Sequence, residues 1–293
     1  MSTKNILTPI ILEGPGRSGS TLLMQILSSR EEIAFDRTYP YENRLLTYIY
    51  YFCASLFPND NENEIKLALE ADIYDKQISP PFNISSETRR LTKDELFLHT
   101  WKAMNDYFQP EAKFYAEKSR LGFSKKLRQS GLRDTKLIYR VRDPRDIWVS
   151  INKFDEKRGY FGFGRKNKQP LSDYLKKFIS DQKIYLETAL KIINSNSTNS
   201  IVVKYEDLIS NYRKTIDCIS NFLEVSLSKE FPSDNFSRHA TSPSPEASLK
   251  KWVNHINNKT NDIFLDNLGN LLEKLGYDVT SKPKSNKLFF FGP

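Results

Sequence analysis

Ile6-Leu7-Thr8-Pro9-Ile10-Ile11-Leu12 is an apolar run that empties into Glu13-Gly14-Pro15-Gly16-Arg17-Ser18-Gly19-Ser20-Thr21. Leu22, Leu23, Ile26 and Leu27 then recur at helical spacing. The reading is a short buried strand, a glycine-rich turn and a helix. Gly14 and Gly19 have the G-x-x-x-x-G spacing, and Ser20-Thr21 open the helix. Backbone N–H groups at a helix start, reinforced by the dipole, suit an anion, so this loop is expected to hold a phosphate. In an ATP-type loop a lysine follows the second glycine. Here Ser20 stands there, and the nearest cation is Arg17, inside the loop. No later apolar strand ends in an aspartate placed for Mg²⁺: Asp207 follows Glu206, and Asp143 follows Arg142 at a helix start. A metal-bridged nucleotide is disfavoured. A donor with one 5′-phosphate fits better, and no metal site is expected.

Outward from the loop, strand-like and helix-like segments alternate. Leu45, Ile49, Phe52, Cys53 and Leu56 make a helix face, and Phe97, Trp101, Met104 and Phe108 make another. Residues 58–86, acidic and Asn-rich, read as an irregular, partly helical excursion. Tyr115-Ala116-Glu117-Lys118-Ser119-Arg120 reads as a short polar segment at a strand end. Residues 137–142 form a strand, and Asp143-Pro144 start a helix with Asp146 placed like a capping-box acid. Residues 155–170 carry three glycines, several cations and three aromatics, and read as a long basic loop of the kind that serves as a lid. A long helix through Leu171, Leu175, Phe178, Gln182, Leu186, Ala189 and Ile193 follows, then a strand at 200–204 and a helix through Ile216, Ile219 and Leu223. After a polar loop at 237–245, Leu249, Trp252, Val253 and Ile256 pattern a helix, and a last helix stops at Gly276. The fold class is therefore α/β: a three-layer sandwich with a mostly parallel sheet flanked by helices. Residues 1–280 are expected to be a single domain and 281–293, with Phe289, Phe290 and Phe291, a loose tail.

Composition narrows the partners. The chain has 293 residues, 44 Lys+Arg against 36 Asp+Glu, and a net charge of +8. This surplus suits an anionic ligand better than a cationic one. No dense basic run with interleaved aromatics points to nucleic acid. The longest strongly apolar uncharged stretch, residues 45–57, is too short for the ~20 residues that span a bilayer. The N-terminal residues enter a strand without the order of a secretory leader. Two cysteines, Cys53 and Cys218, and three dispersed histidines argue against a disulfide framework or a metal site, so a cytoplasmic location is expected.

The second element with chemistry in it is Arg140-Val141-Arg142-Asp143-Pro144-Arg145-Asp146 with Ser150. A strand delivers Arg142, and Ser150 lies about two turns into the next helix, so a guanidinium and a hydroxyl are available to clamp a second phosphate. Together the two elements carry a family resemblance. Gly14 to Leu23 resembles the 5′-phosphosulfate loop of sulfotransferases that use 3′-phosphoadenosine 5′-phosphosulfate (PAPS). Arg142 to Asp146 with Ser150 resembles their 3′-phosphate element. Weaker matches at Glu117-Lys118-Ser119, Tyr205 to Leu208, Phe222-Leu223, Ser248 to Trp252 and Leu275 to Tyr277 keep the family's order. Leu22 stands where the cytosolic aryl branch usually has Trp, and Arg120 where that branch has His. The pattern is closer to the bacterial-type and tyrosylprotein-like branch.

The resemblance implies a P-loop-type fold and sulfuryl transfer from PAPS to a hydroxyl or amine of a small-molecule, lipid or glycan acceptor, leaving 3′-phosphoadenosine 5′-phosphate (PAP). It implies donor contacts from Arg17, Ser18, Gly19, Ser20, Thr21, Leu22, Arg142, Ser150, Ser248 and Lys251. It gives catalytic roles to Arg17 and Lys118 as cations and to Glu42 as base. Asp36 is the second choice of base and His99 the third. Burial of Glu42 would raise its basicity, while nearby cations would lower it. Tyr39, Tyr41, Tyr48, Tyr50 and Tyr51 are either packing residues or an acceptor-stacking wall. The competing functions are a kinase-type phosphoryl transferase and a non-catalytic nucleotide-binding protein.

Overall fold

The computed structural model describes residues 6–57, 91–232 and 240–284. The expected excursion over 58–86, the start of the polar loop at 237–239 and the tail phenylalanines lie outside the described residues. Five strands form a sheet in the order β2-β3-β1-β4-β5: β1 Thr8–Glu13, β2 Ile33–Ala34, β3 Phe114–Lys118, β4 Lys136–Val141 and β5 Ser200–Lys204. Strand β3 pairs in parallel with both β1 and β2, in register from Thr8 opposite Phe114 to Leu12 opposite Lys118. The α/β class and parallel pairing agree with the sequence reading. The chain divides into two compact units, Met1–Glu13 with Arg30–Leu137, and Gly14–Ser29 with Ile138–Pro293.

In the first unit, α2 (Leu45–Ser55) and α3 (Lys93–Met104) pack together over β3. Leu46, Ile49, Tyr50 and Cys53 supply the apolar stripe of α2, and Phe97 and Trp101 that of α3. The α3 start is fixed by a capping box between Thr92 and Glu95. Trp101 is fully buried against Tyr115, and its indole N–H donates to the Leu7 carbonyl at 3.3 Å. Truncating it to Ala would cost ~3–5 kcal/mol on the usual scale for buried aromatics. The segment read as a polar strand end is instead β3 itself, buried between two strands. A short helix, α4 (Phe123–Gln129), follows it and has no counterpart in the sequence reading. Its N-cap, Gly122, has no side chain to cap with. The buried Glu13 at the end of β1 does so, accepting from the N–H groups of Gly122 and Ser124 at 2.7 Å each.

In the second unit, α1 (Ser20–Leu27) follows the glycine-rich loop, and β4 leads into α5 (Pro144–Arg158). Asp143 caps α5 as expected, accepting from the Arg145 N–H, with Pro144 in the first turn. Asp146 is not a capping-box acid. The Asp143 N–H donates to Glu206, and Asp146 accepts from the Trp252 N–H. Residues 155–158 are helical, so the basic loop is shorter than expected and runs from Gly159 to Pro170. Helix α6 (Leu171–Asn194) buries Tyr174, Leu175, Phe178, Gln182, Leu186 and Ala189 on one stripe, with Trp148 and Phe264 against Phe178. After β5 come α7 (Tyr205–Ser210) and α8 (Tyr212–Leu223). The expected helix over 249–256 is broken into a 3₁₀ turn at Glu246–Ser248 and a single turn, α9 (Trp252–His255). Helix α10 (Asn258–Lys274) ends before Gly276, whose φ of +72° accounts for the stop.

Candidate functional site

The glycine-rich loop is packed so closely that two of its glycines are obligatory. Gly14 has φ +134°, and a Cβ there would lie 2.4 Å from the Arg140 carbonyl oxygen. Gly19 has φ +88°, and its Cβ would lie 2.7 Å from the Tyr205 ring. Arg140 holds the loop from β4, donating to the Ser18 hydroxyl at 2.8 Å and to the Gly14 carbonyl at 3.2 Å. The Ser18 hydroxyl donates in turn to the Pro15 carbonyl at 2.5 Å. Ser18 is fully buried, so its side chain is spent on the loop's own shape. The Leu23 N–H donates to the Gly19 carbonyl at 3.0 Å, which closes the first turn of α1. Leu22 is buried, so a polar contact from it would come through its backbone.

Arg17 stands in the left-handed region at φ +63°. Its Nε donates to the Ser150 hydroxyl at 3.1 Å, and its guanidinium lies 4.6 Å from the centre of the Phe154 ring. The Ser150 and Thr241 hydroxyls are 3.1 Å apart. Lys251 Nζ donates to Thr241 at 3.0 Å and to the Ser242 hydroxyl at 3.2 Å. Arg142 donates to the Arg17 carbonyl at 2.9 Å and the Ser248 carbonyl at 2.7 Å, and lies over the Tyr205 ring at 4.1 Å. The Tyr205 and Ser248 hydroxyls are 2.8 Å apart. Ser248 thus contributes by holding Arg142. The structure brings Arg17, Arg142, Ser150, Ser248 and Lys251 into one hydrogen-bonded chain. Its difference from the expected pairing is that Ser150 is held by Arg17 and Thr241.

The electrostatics of this chain are lopsided. Arg142 and Lys251 are 4% and 5% exposed. Burial, and then the neighbouring Arg142, push the Lys251 ammonium down to about 7, although Asp146 opposes the shift. Asp146 is itself pushed up to about 6 by burial, against the pull of Arg142. Arg142 Nε is buried and without a hydrogen-bond partner. Crowded cations, an unused guanidinium N–H and hydroxyls bonded to one another form a donor set suited to a multiply charged anion. Asp143 is occupied on both oxygens by Arg145, at 3.0 and 2.8 Å. Among the described residues, no group of three or more His, Cys, Asp or Glu is placed to hold a metal ion.

The remaining candidates lie in the first unit. Lys118, at the end of β3, is buried. It donates to the Pro40 carbonyl at 2.6 Å and to the Glu42 carboxylate at 2.8 Å. Glu42 also faces Arg44 at 3.5 Å, and its side chain is 51% exposed. Glu42 is therefore not a buried carboxylate. Asp36 accepts from the Thr38 N–H at 2.9 Å and from the Asn43 amide. Burial is the largest single influence and raises its carboxyl, but the hydrogen bonds from Thr38 and Asn43 together outweigh it and hold the group below the ordinary value, which weakens it as a base. His99 is exposed on α3. Tyr50 is a core residue packed on Phe97 and Phe123, and Tyr51 stacks on Phe123, whereas Tyr48 is exposed. Tyr39 and Tyr41 meet edge to face beside Glu42.

Sequence reasoning gave no role to Arg140 or Glu117, although both stand inside the motifs it quoted, and it passed over Thr241 and Ser242. Among the described residues no helix is long and apolar enough to cross a membrane. The family model for the sulfotransferase domain matches residues 7–257. No curated protein sequence matches the chain. Among solved structures, the sulfotransferase domain of the Synechococcus PCC 7002 olefin synthase is similar at 16% identity. That match covers 94% of this chain and 97% of the other, with a TM-score of 0.49. A mouse sulfotransferase complexed with PAP is similar at 14% identity over 92% of this chain and 84% of the other, with a TM-score of 0.48.

Proposed function

The chain belongs to the sulfotransferase domain family, and on that premise we propose that it transfers a sulfuryl group from PAPS to a hydroxyl or amine of a small-molecule, lipid or glycan acceptor. PAP and a sulfate ester (or a sulfamate) are the products. The observation that carries the donor assignment is the cationic chain Arg17–Ser150–Thr241–Lys251 with Arg142, built around the glycine-rich loop. The loop residues Arg17 to Leu22 are assigned to the 5′-phosphosulfate, Ser18 through its backbone. Arg142, Ser150 and Lys251 are assigned to the 3′-phosphate, with Ser248 supporting Arg142. Residues 1–280 are taken as one functional domain, since the family match runs through both compact units.

In the reaction, a bond forms between the acceptor oxygen and sulfur as the bond from sulfur to the bridging phosphate oxygen breaks. Arg17 neutralises the charge that builds on the leaving phosphate. Glu42 takes the acceptor proton, and Lys118 is a second cation. These last two roles rest on the family resemblance and on the chemistry of the pair. Their ion pair must open before either can act. Leu22 and Arg120 support the bacterial-type and tyrosylprotein-like branch. The free Cys53 and Cys218 support a cytoplasmic location. The pairing of both Asp143 oxygens with Arg145 supports the sulfuryl-transfer reading over the phosphoryl-transfer alternative.

Calorimetry with the Arg142→Ala variant tests the donor assignment. PAP affinity is expected to fall by roughly 1.5–3 kcal/mol, the worth of a hydrogen bond to a charged group. Adenosine 5′-phosphosulfate, which lacks the 3′-phosphate, should lose little. Equal losses for the two ligands would sink the assignment.

A further inference from the structure

Helix α2 begins without a cap of its own. Arg44 occupies its N-cap position and makes no side-chain cap, and the first turn contains no acid. The missing acceptor comes from another element. Tyr115 and Glu117 project from the same face of β3, two residues apart. The Leu45 N–H donates to the Tyr115 hydroxyl at 3.2 Å. Glu117 accepts from the Leu46 N–H at 2.9 Å, the Thr47 N–H at 3.2 Å and the Thr47 hydroxyl. Its carboxylate is fully buried, and the start of α2 is what satisfies it. The next residue on the strand, Lys118, grips the Pro40 carbonyl and the Glu42 carboxylate. Two consecutive residues of β3 thus hold the segment 40–47 at two points, one on either side of Asn43.

We propose that Glu117 is a positioning residue: by fixing residues 45–47 from β3, it sets the place of the Glu42 carboxylate against Lys118. The proposal rests on the reading of Glu42 as base, and it gives Glu117 no contact with substrate. Its physical basis is the shortness of the linkage. Between Glu42 and Leu46 lie only Asn43, Arg44 and Leu45. A helix start free to fray would let the carboxylate drift, and a misplacement of about 1 Å at a reacting group can cost ~10²-fold in rate.

The test uses Glu117→Gln, which keeps the size but replaces an acceptor oxygen with an NH₂ facing backbone N–H donors. Glu117→Asp is the second variant, with the charge kept and the reach shortened. Amide hydrogen exchange over residues 36–47 should quicken in both variants, while exchange over the loop at 14–22 and PAP affinity stay at wild-type values. With radiolabelled PAPS and a panel of probe acceptors (p-nitrophenol, a sterol, a disaccharide), kcat should fall roughly 10–10²-fold and the donor KM should hold. In the double variant with Glu42→Gln, the second substitution should cost less than about twofold, because Glu117 acts through Glu42. Unchanged exchange over 36–47, or fully additive losses in the double variant, would overturn the proposal. Wild-type kcat in Glu42→Gln would instead overturn the base reading, and the exchange result would then judge the anchoring by itself.

Discussion

If Lys251 meets the donor's 3′-phosphate as proposed, donor binding should be a proton-coupled event whose size follows from the surroundings of this lysine. In the free protein the ammonium titrates near 7, because it is buried and Arg142 is its neighbour. A free lysine titrates near 10.4, so the folded value is depressed. At pH 8 about nine-tenths of Lys251 is therefore neutral before the donor arrives. A 3′-phosphate has a second pKa near 6 and is already dianionic at pH 8, so it has no proton to release. Placed against Lys251, the dianion favours the charged ammonium, and binding should draw in about 0.9 proton from solvent at pH 8. With the bound lysine fully protonated, affinity scales inversely with 1 + 10^(pH − 7). Between pH 8 and pH 9, where the phosphate stays dianionic, that factor rises about ninefold, or ~1.3 kcal/mol. Calorimetric titration of PAP at pH 8, in two buffers of different ionisation enthalpy, reads the proton count directly. Lys251→Arg keeps the charge at all pH values and should abolish both the proton uptake and the alkaline loss of affinity. Zero uptake at pH 8, or an alkaline loss that persists in Lys251→Arg, would refute the placement of a phosphate at this lysine.

Glu42→Gln should lower kcat by roughly 10²–10⁴ at unchanged PAP affinity, the usual worth of a general base; a dead Asp36→Asn with an active Glu42→Gln would move the base to Asp36. Saturating EDTA should leave turnover nearly unchanged, and strict Mg²⁺ dependence would favour phosphoryl transfer. The loop from Gly159 to Pro170 places Phe163 against the glycine-rich loop, close enough that a Cβ on Gly16 would lie 3.0 Å from its ring. PAP should therefore slow hydrogen exchange across 159–170, and unchanged protection there would count against a lid.

What the sequence revealed depended on how locally each feature is encoded. The loop from Gly14 to Thr21 was legible because strand, turn and helix are adjacent, and their glycines and apolar spacing carry the geometry within a few residues. The start of α5 was half legible. Asp143 and Pro144 act on their own helix, but Asp146 is captured by the Trp252 N–H, 106 residues away. Nothing near Asp146 distinguishes a capping acid from one that a distant backbone N–H will claim. The same holds for Thr241, an ordinary loop threonine until folding sets its hydroxyl between Ser150 and Lys251. Glu13 and Glu117 show the general cause. Both are acids in buried strands, and each is satisfied by the uncapped start of a helix elsewhere in the same unit. A buried strand acid together with a helix that lacks its own cap is a joint signal, and neither half is decisive alone. Lys118 was legible as a candidate through its resemblance. Its grip on residues 40–42 was not, since a strand residue's reach beyond the sheet depends on which loop the fold lays over its end.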